Sequence, residues 1–371
     1  MPITETQLRW FRLRRSGLVK PFALPEAVAR ALAGVQAQIL PAAGLALWNR
    51  TVGLTEAAFN ALIFESRTLV KLWGQRGALH LYAGDDWPLI CGALSEQQTW
   101  WRRQTAQAGQ QDEYEAIVAG VAALLRERGT MSRSDLRAAF PDLAERHFSS
   151  WGGIFAELVH RGIACHAERE GSQGRFAHRE HWLPTLDWSP PAFEDANVEL
   201  ARRYLRAYGP ATEPDFRYWR NAKAADSRRW LAALGDETAA IDVAGIEMHA
   251  LREDWDDLTA APPEREAWPV RMLYRFDPLM LSTKDKAWLV DVPYYKQVWR
   301  PGGHIEGTLL EHGRIAGAWR YDRKNGGLSV TVFPFAPLPE HVQAAVETQA
   351  SQIAAFFGLA LTDLSIERRP G

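Results

Sequence analysis

LRERGT at residues 125–130 is followed by DLR at 135–137, and a similar pair of stretches occurs eighty residues later: LRAYGP at 205–210, followed by DFR at 215–217. In both copies an apolar helix runs into a Gly, the residue most often found just after a helix. A short polar turn comes next, with Ser132 and Thr212 as predicted N-caps, and an Asp then lies in the first turn of a second helix. This spacing is typical of a helix–turn–helix unit that is repeated along the chain.

A short hairpin follows each pair of helices and predicts that both copies are winged helices. In the first copy the pattern predicts a third helix, two strands and a turn at 171–174 between them. The second copy has the same order, with its hairpin turning at Gly245. The predicted segments are helix 154–161 with strands 163–166 and 175–178, and helix 226–234 with strands 238–241 and 247–251.

The first 90 residues follow the same order and are interpreted as a third, diverged copy. Thr55 is a predicted N-cap there, and Pro25 opens a helix at its first position. The predicted segments are helices 5–16, 25–35 and 55–65 and strands 69–73 and 78–82.

From Val270 onward the pattern changes to short β runs separated by Gly-containing turns. These runs predict strands at 288–292, 308–310, 315–319 and 328–333, and a closing helix at 341–357. The sequence therefore predicts an α+β protein with winged helices at 1–105, 106–190 and 191–268 and a β-domain at 269–371.

The charge balance is nearly neutral but unevenly distributed. The 371 residues carry a formal net charge of −2, which argues against a general polyanion binder. Yet residues 1–20 and 271–328 each carry a local charge of +4, whereas residues 251–268 carry −4. The net charge of −2 is therefore compatible with a basic groove on part of the surface. The 16 Trp residues are interpreted mainly as packing residues.

Several classes of protein are excluded by simple features. No apolar run reaches the roughly 18 residues of a membrane span, and the Arg-rich beginning lacks a secretion signal, so we expect a cytoplasmic protein. Cys91 and Cys165 are too few for a disulfide framework. The cluster around His178 and His181 matches no zinc spacing, and no phosphate-binding loop occurs, so we expect neither a metal nor another cofactor.

The stretch GVQAQILP at residues 34–41 stands out because it carries two amides two residues apart. In a helix Gln36 and Gln38 would point about 200° away from each other, whereas in an extended segment they would lie on one side. Gly34 permits an early helix end, and Pro41 disfavours a helical conformation at the residue before it. Two readings stay open: two amides that converge on one cleft, or two surface side chains at a fraying helix end.

Several motifs in this order resemble the winged-helix DNA glycosylases typified by AlkZ and the YcaQ/AlkX group, and the likeness extends over essentially the whole chain. The matching stretches are GVQAQ at 34–38, RTLVKLW at 67–73, RGALHL at 76–81, DDW at 85–87, RFDPLML at 275–281 and Lys284-Asp285.

The resemblance implies three tandem winged-helix motifs in a C-shaped body with a C-terminal β-barrel-like domain, whose concave face binds duplex DNA. Family members excise N-alkylated purines, and some unhook interstrand crosslinks. Their signature is Gln-x-Gln or, in the YcaQ group, Gln-x-Asp, and Gln36 and Gln38 match the first form. An amide is no general base at neutral pH, so these residues would position a water for a monofunctional glycosylase without a cofactor.

Basic residues around two predicted hairpins are candidate DNA contacts, or else parts of a solvated basic edge. They are Arg67, Lys71, Arg76 and His80 near the first wing, and Lys296, Arg300 and His304 near the turn at 299–303. The alternative function is a non-catalytic winged-helix transcriptional regulator, since this fold is most often a binding module. We expect a monomer that acts on double-stranded DNA with alkylated or crosslinked purines, is associated with the nucleoid, and has no membrane partner.

Overall fold

The computed structural model describes residues 2–97, 99–149, 153–170 and 173–367. It contains helices and strands in mixed order, which confirms the α+β class. The helices are α1 (Glu5–Arg15), α2 (Pro25–Ala31), α3 (Leu40–Trp48), α4 (Glu56–Phe64), α5 (Trp87–Leu94), α6 (Trp100–Gln107), α7 (Gln111–Arg128), α8 (Arg133–Ala139), α9 (Gly153–His160), α10 (Arg179–Trp182), α11 (Phe193–Tyr208), α12 (Glu213–Arg220), α13 (Ala224–Ala233), α14 (Trp255–Thr259), α15 (Pro278–Leu281), α16 (Val292–Val298) and α17 (Glu340–Phe356).

The strands are numbered in the same way along the chain. They are β1 (Val35–Gln36), β2 (Leu69–Trp73), β3 (Leu79–Ala83), β4 (Thr130–Ser132), β5 (Ala164–Glu170), β6 (Gln173–His178), β7 (Thr238–Val243), β8 (Ile246–Leu251), β9 (Arg271–Leu273), β10 (Trp299–Arg300), β11 (His304–Ile305), β12 (Gly307–Glu311), β13 (Arg314–Lys324), β14 (Gly327–Pro334) and β15 (Ala360–Ile366).

The chain divides into two compact units. Unit 1 comprises Met1–Phe59 and Ala201–Gly371, and unit 2 comprises Asn60–Leu200. No helix in the described ranges is long and apolar enough to cross a membrane.

The second helix of each repeated pair begins at the N-cap residue that the sequence predicts. Ser132 accepts a hydrogen bond from the Asp135 backbone N–H at 3.1 Å, and the Asp135 carboxylate accepts one from the Ser132 N–H at 2.8 Å. Thr212 and Asp215 form the same reciprocal pair at the start of α12, at 3.3 and 3.2 Å. Each capping box satisfies two backbone donors that the helix leaves open. The two second helices, α8 and α12, are therefore locally equivalent.

In unit 2 the strands lie in the order β3-β2-β5-β6-β4. Strands β2 and β3 form the predicted hairpin, from Leu69 opposite Ala83 to Trp73 opposite Leu79. Strands β5 and β6 form the predicted second hairpin, although Gly171 and Ser172 of its predicted turn lie outside the described residues. Helix α9 packs on these strands, and its Phe155 stacks on Phe176 with ring centroids 4.3 Å apart.

In unit 1 the C-terminal strands form a five-stranded sheet in the order β15-β14-β13-β12-β9. The pairs are antiparallel except for β15, which lies parallel to β14. The expectation of a β-barrel-like domain is corrected here, because the sheet is open in the part of the chain that the structure describes. Helix α17 leads from β14 to β15, and such a crossover adds the last strand in parallel at the edge. The helix contacts β9, β14 and β15 and therefore packs against the open sheet.

Two further predictions about individual elements are wrong in part. The predicted strand at 288–292 is a turn followed by the start of α16. The Leu289 and Val290 N–H groups both donate to the Lys286 carbonyl there, while Trp288, Leu289 and Val290 are buried. A short apolar run is compatible with any buried conformation, so its composition did not distinguish a strand from a turn. The predicted helix at 25–35 ends early, at Ala31.

Candidate functional site

The chain leaves its helical conformation immediately before the two glutamines. Ala33 has φ +50° and Gly34 has φ +105°, both outside the range of a right-handed helix. The Gly34 N–H donates back to the Ala29 carbonyl at 2.8 Å, which closes the end of α2. The Tyr208 hydroxyl donates to the Leu32 carbonyl at 3.0 Å and fixes this end further. The sequence offered no signal for that contact, because the two residues are 176 positions apart.

The Gln-x-Gln segment is extended at its first residue and bent at its second. Gln36 lies in β1 and is buried, whereas Gln38 lies in a bend and is exposed. Ala37 between them is fully buried and holds the segment against the fold. The expected break before Gln36 is thus confirmed. The two residues differ in burial, and their convergence on one cleft stays a prediction.

Helix α3 begins two residues after Gln38. Ile39 is its N-cap in an extended conformation, with φ −115° and ψ +107°, and Pro41 occupies one of the first two helical positions. Pro is favoured there because its fixed φ suits the first turn and no N–H is needed. The following residues of α3 are buried and contact β1, so the glutamines are anchored to a packed element. Both side chains are neutral amides that donate and accept hydrogen bonds without titrating.

The predicted turn at 299–303 is the tip of a short hairpin in unit 1. Strands β10 and β11 pair there, with Arg300 opposite His304 and Trp299 opposite Ile305. Gly302 and Gly303 have φ +76° and +75°, a conformation that suits a residue without a side chain. Arg300 is exposed and His304 half-buried, and Lys296 is exposed on α16, which leads into the hairpin.

Glu306 follows this hairpin directly and was missed by the sequence analysis. Its side chain is fully buried, and it accepts hydrogen bonds from Arg300 at 3.0 Å and from Arg320 at 2.6 and 3.1 Å. The His304 Nε2 atom lies 3.6 Å from the same carboxylate. An acidic residue two positions after His304 was the available signal, but its burial depends on the neighbouring strands.

In unit 2, Arg67 lies two residues before β2 and Lys71 lies in the middle of that strand. Arg67 has φ +57° and donates to the Trp182 carbonyl at 3.1 Å, while its guanidinium lies 4.2 Å from the Trp182 ring centroid. This is a cation–π contact that ties the residue to α10. Lys71 is half-buried in β2, opposite Leu81 on one side and His166 on the other.

Arg76 and His80 form a pair at the hairpin between β2 and β3. Arg76 lies in the turn with φ +58°, and its Nη2 atom is 3.5 Å from the His80 Nε2 atom. The His80 Nδ1 atom is 2.9 Å from the Ala78 carbonyl, which suits a neutral ring protonated on Nδ1. Burial, followed by the nearby Arg76 charge, lowers the pKa of His80 to about 3. His80 is therefore neutral at pH 7, and Arg76 carries the charge of this pair.

The motif at 275–285 is built into the packing of unit 1. Asp277 caps α15 by accepting a hydrogen bond from the Leu279 N–H at 3.0 Å. The N–H groups of Lys284 and Asp285 donate to the Asp215 carboxylate at 2.8 and 3.2 Å. These contacts give Asp277 and the 284–285 backbone structural roles, which the sequence motif alone did not distinguish from functional ones.

Comparisons with known proteins agree over nearly the whole chain. A family model described as DNA glycosylase AlkZ-like matches residues 29–356. A curated relative from Streptomyces sahachiroi, named an interstrand DNA cross-link repair glycosylase, is 28% identical over 377 residues, covering 97% of this chain and 98% of the relative. The solved structure of the Streptomyces sahachiroi DNA glycosylase AlkZ superposes with a TM-score of 0.84 at 26% identity, covering 99% of this chain and all (100%) of that one.

Proposed function

The chain belongs to the AlkZ-like family of DNA glycosylases, and from this premise we propose that it hydrolyses the N-glycosidic bond of cationic N-alkylated purines. As a glycosylase it is an enzyme that acts on DNA, not a non-catalytic transcriptional regulator. The proposed substrates carry an alkyl group at N7 or N3. Gln36 and Gln38 are the proposed catalytic residues, and they hold the attacking water.

Neutral amides suffice for such a substrate because the leaving group is already activated. When water oxygen bonds to the anomeric carbon, the electron pair of the glycosidic bond moves to the purine nitrogen and cancels its positive charge. No general acid is therefore needed at the base, and the proton released from the attacking water passes to solvent. The remaining task is to orient the water and stabilise an oxocarbenium-like transition state, which hydrogen-bonding dipoles can perform.

The observation that carries this proposal is the break in the backbone before Gln36. Positive φ values at Ala33 and Gly34 end α2, so Gln36 lies in β1 and Gln38 in the bend that follows it. Outside a helix the two side chains are no longer held about 200° apart, and we propose that both face the same cleft. The anchoring of this segment by α3 supports a preorganised site. Without a Lys in the motif, the proposed product is an abasic site left by hydrolysis alone.

The test compares Gln36→Ala and Gln38→Ala with the unmodified protein on a duplex containing one N7-methylguanine. We expect the single-turnover rate of base release to fall by about 10²- to 10³-fold for each variant, as when one preorganised hydrogen-bonding group is removed elsewhere. Binding of the same duplex, measured by fluorescence anisotropy, should change by less than about threefold, since phosphate contacts dominate affinity.

Gln352→Ala is the matched control, because Gln352 is an exposed amide on α17 of the same unit. This variant should release base at the unmodified rate. If Gln36→Ala and Gln38→Ala bound the lesion duplex and released base as fast as the control, the assignment of both residues would be wrong.

We further propose that the protein unhooks interstrand crosslinks. The support is the name of the Streptomyces sahachiroi relative, an interstrand DNA cross-link repair glycosylase. The test incubates the protein with three duplexes, carrying N7-methylguanine, a nitrogen-mustard crosslink or no lesion, and scores alkali-sensitive abasic sites. Cleavage of both lesion duplexes supports the proposal, whereas cleavage of the methylated duplex alone restricts the activity to monoadducts.

The proposed DNA contacts are the basic side chains at the two hairpins. In unit 1 these are Lys296, Arg300 and His304, which are exposed or half-buried around an exposed turn. In unit 2 they are Lys71 and Arg76. Arg67 and His80 are assigned a supporting role beside them, because Arg67 donates to the Trp182 carbonyl and the buried His80 has its Nδ1 atom at the Ala78 carbonyl. Charged side chains of this kind bind phosphates and position the duplex.

The helix pairs and hairpins also support a finer description of the fold. We propose three winged-helix motifs at 1–105, 106–190 and 191–268 and a C-terminal domain at 269–371, acting as a monomer on chromosomal DNA in the nucleoid. Light scattering coupled to size-exclusion chromatography tests the monomer directly, since a dimer would double the 41.7 kDa mass.

A further inference from the structure

Four ionisable side chains meet at the base of the hairpin in unit 1. Arg300 comes from β10, His304 from β11 and Arg320 from β13, and all three lie against the carboxylate of Glu306. Three of these residues lie within seven positions, but Arg320 is fourteen residues from Glu306 and comes from a different strand. The cluster is therefore a product of the sheet rather than of one turn.

Burial divides the cluster into an inner carboxylate and outer basic side chains. The Glu306 side chain has no exposed surface, whereas those of Arg300, His304 and Arg320 are 46%, 37% and 43% exposed. A buried carboxylate is costly unless it is paired and hydrogen-bonded, and here two guanidinium groups meet that need. Two fixed positive charges face one negative charge, so the exposed side of the cluster carries excess positive charge.

The carboxylate also decides how the cations are arranged. Arg320 uses both Nε and Nη2 on Glu306, which is a two-point contact that fixes the plane of its guanidinium. Arg300 contacts Glu306 through Nη1, and 46% of its side chain is exposed. Like charges held this close repel each other, so without Glu306 the long side chains would spread into many rotamers.

We propose that Glu306 is a positioning residue that holds Arg300, His304 and Arg320 as one preformed site for a phosphate group of the DNA backbone. The inference rests on the proposed function and adds Arg320 to the DNA-contact residues. A phosphate accepts several hydrogen bonds at once, and guanidinium groups match its geometry in forked pairs. Ordering the cations before binding lowers the entropy cost of the contact.

Glu306→Gln tests the proposal because electrostatics alone and a positioning role predict opposite changes in DNA affinity. This change removes one negative charge close to DNA, so electrostatics alone predicts tighter binding. If Glu306 positions the cations, binding instead becomes weaker although the protein is more positive. We expect the Kd for an undamaged duplex, measured by fluorescence anisotropy, to rise about tenfold. The slope of log K against log salt should also become shallower by about 0.9 for each phosphate contact that is lost.

Arg320→Gln provides a second variant in case Glu306→Gln folds poorly. It leaves Glu306 paired with Arg300 and removes one proposed phosphate contact, so the salt slope should become shallower by about 0.9. Circular dichroism spectra and melting curves verify that both variants are folded. If Arg320→Gln kept both the Kd and the salt slope of the unmodified protein, the inference would be wrong.

Glu311→Gln is the matched control. Glu311 lies at the far end of β12 and pairs with Arg265 at 2.7 and 2.8 Å, so the variant makes the same charge change and breaks the same kind of pair. Its Kd should be unchanged or slightly lower. A fall in Kd for Glu306→Gln like that of the control would overturn the positioning role, because charge alone would explain it.

Two more measurements test the phosphate chemistry of the site and separate the two levels of the proposal. Inorganic phosphate competes for such a site, so replacing chloride by phosphate at equal ionic strength should reduce the difference in Kd for DNA between the unmodified protein and Arg320→Gln, and a difference that phosphate leaves unchanged would contradict the inference. All assays use undamaged DNA and need no base release. Failure of the unmodified protein to bind duplex contradicts the proposed function, whereas normal binding with an unaffected Arg320→Gln contradicts only the phosphate site.

Discussion

Arg50 and Asp277 form a completely buried, two-point ion pair in unit 1, with Nη1–Oδ2 at 2.7 Å and Nη2–Oδ1 at 2.8 Å. Two further Arg50 N–H groups, on Nε and Nη1, donate to the carbonyls of Ser16 and Ala46 at 2.7 and 2.8 Å. The pair joins the N-terminal helices to the segment 275–281, which is 227 residues away in the chain. It gives the Asp of that segment a structural role.

We predict that Asp277→Asn lowers the free energy of unfolding by about 3–5 kcal/mol, because the Arg50 charge stays buried without its partner. Urea unfolding followed by circular dichroism measures the loss. The double variant Arg50→Met/Asp277→Leu should regain much of it, since no buried charge remains. Glu253→Gln is the control, because its exposed pair with Arg206 should contribute less than about 1 kcal/mol. An equally small effect at Asp277 would contradict the prediction.

The two capping boxes yield a second prediction. Ser132→Ala and Thr212→Ala should each lower the free energy of unfolding by about 1 kcal/mol, because each removes the acceptor of one N-terminal N–H group. Thr348→Ala removes a hydroxyl from the middle of α17, where it only donates back to the Ala344 carbonyl, and should cost less. Similar melting temperatures for Thr212→Ala and Thr348→Ala would show that the box contributes little.

His80 leads to a prediction about pH. Burial lowers its pKa from 6.5 to about 3, so between these values the unfolded chain takes up a proton that the folded chain does not. The stability from this residue is therefore complete above pH 6.5 and is lost as the pH falls, with a slope of up to about 1.4 kcal/mol per pH unit. NMR of the His80 ring should show no titration between pH 8 and 5, and an inflection near 6.5 would contradict its burial.

The amide character of the proposed catalytic pair leads to a prediction about rate. Neither Gln36 nor Gln38 titrates, so the single-turnover rate on N7-methylguanine should vary less than about twofold between pH 6 and 9. Gln38→Asp introduces a carboxylate that can accept a proton, and we expect activity within about tenfold of the unmodified protein. An inflection near pH 7 in the unmodified protein would instead indicate a titrating base elsewhere.

Features that depend on neighbours along the chain could be predicted from the sequence. The capping residues Ser132 and Thr212, the turn at Gly245 and the helix break at Gly34 each follow from hydrogen bonds and backbone sterics within a few residues. The hairpin at 299–303 belongs to the same class, whereas Gln36 and Gln38 became candidate residues through the resemblance of their motif to a known family. Local rules specify these elements because their partners are always close in the chain.

Only the tertiary structure decided which charged residues are buried and where apolar runs lie. The sequence could not show that Glu306 and Asp277 lie inside, or that His80 is neutral, because burial depends on strands and helices distant in the chain. The run at 288–290 became a buried turn, and β15 joined the sheet in parallel, for the same reason. The sequence alone determined the local elements, and its resemblance to a known family singled out the two glutamines, whereas packing determined which charged side chains lie against the buried Glu306 carboxylate.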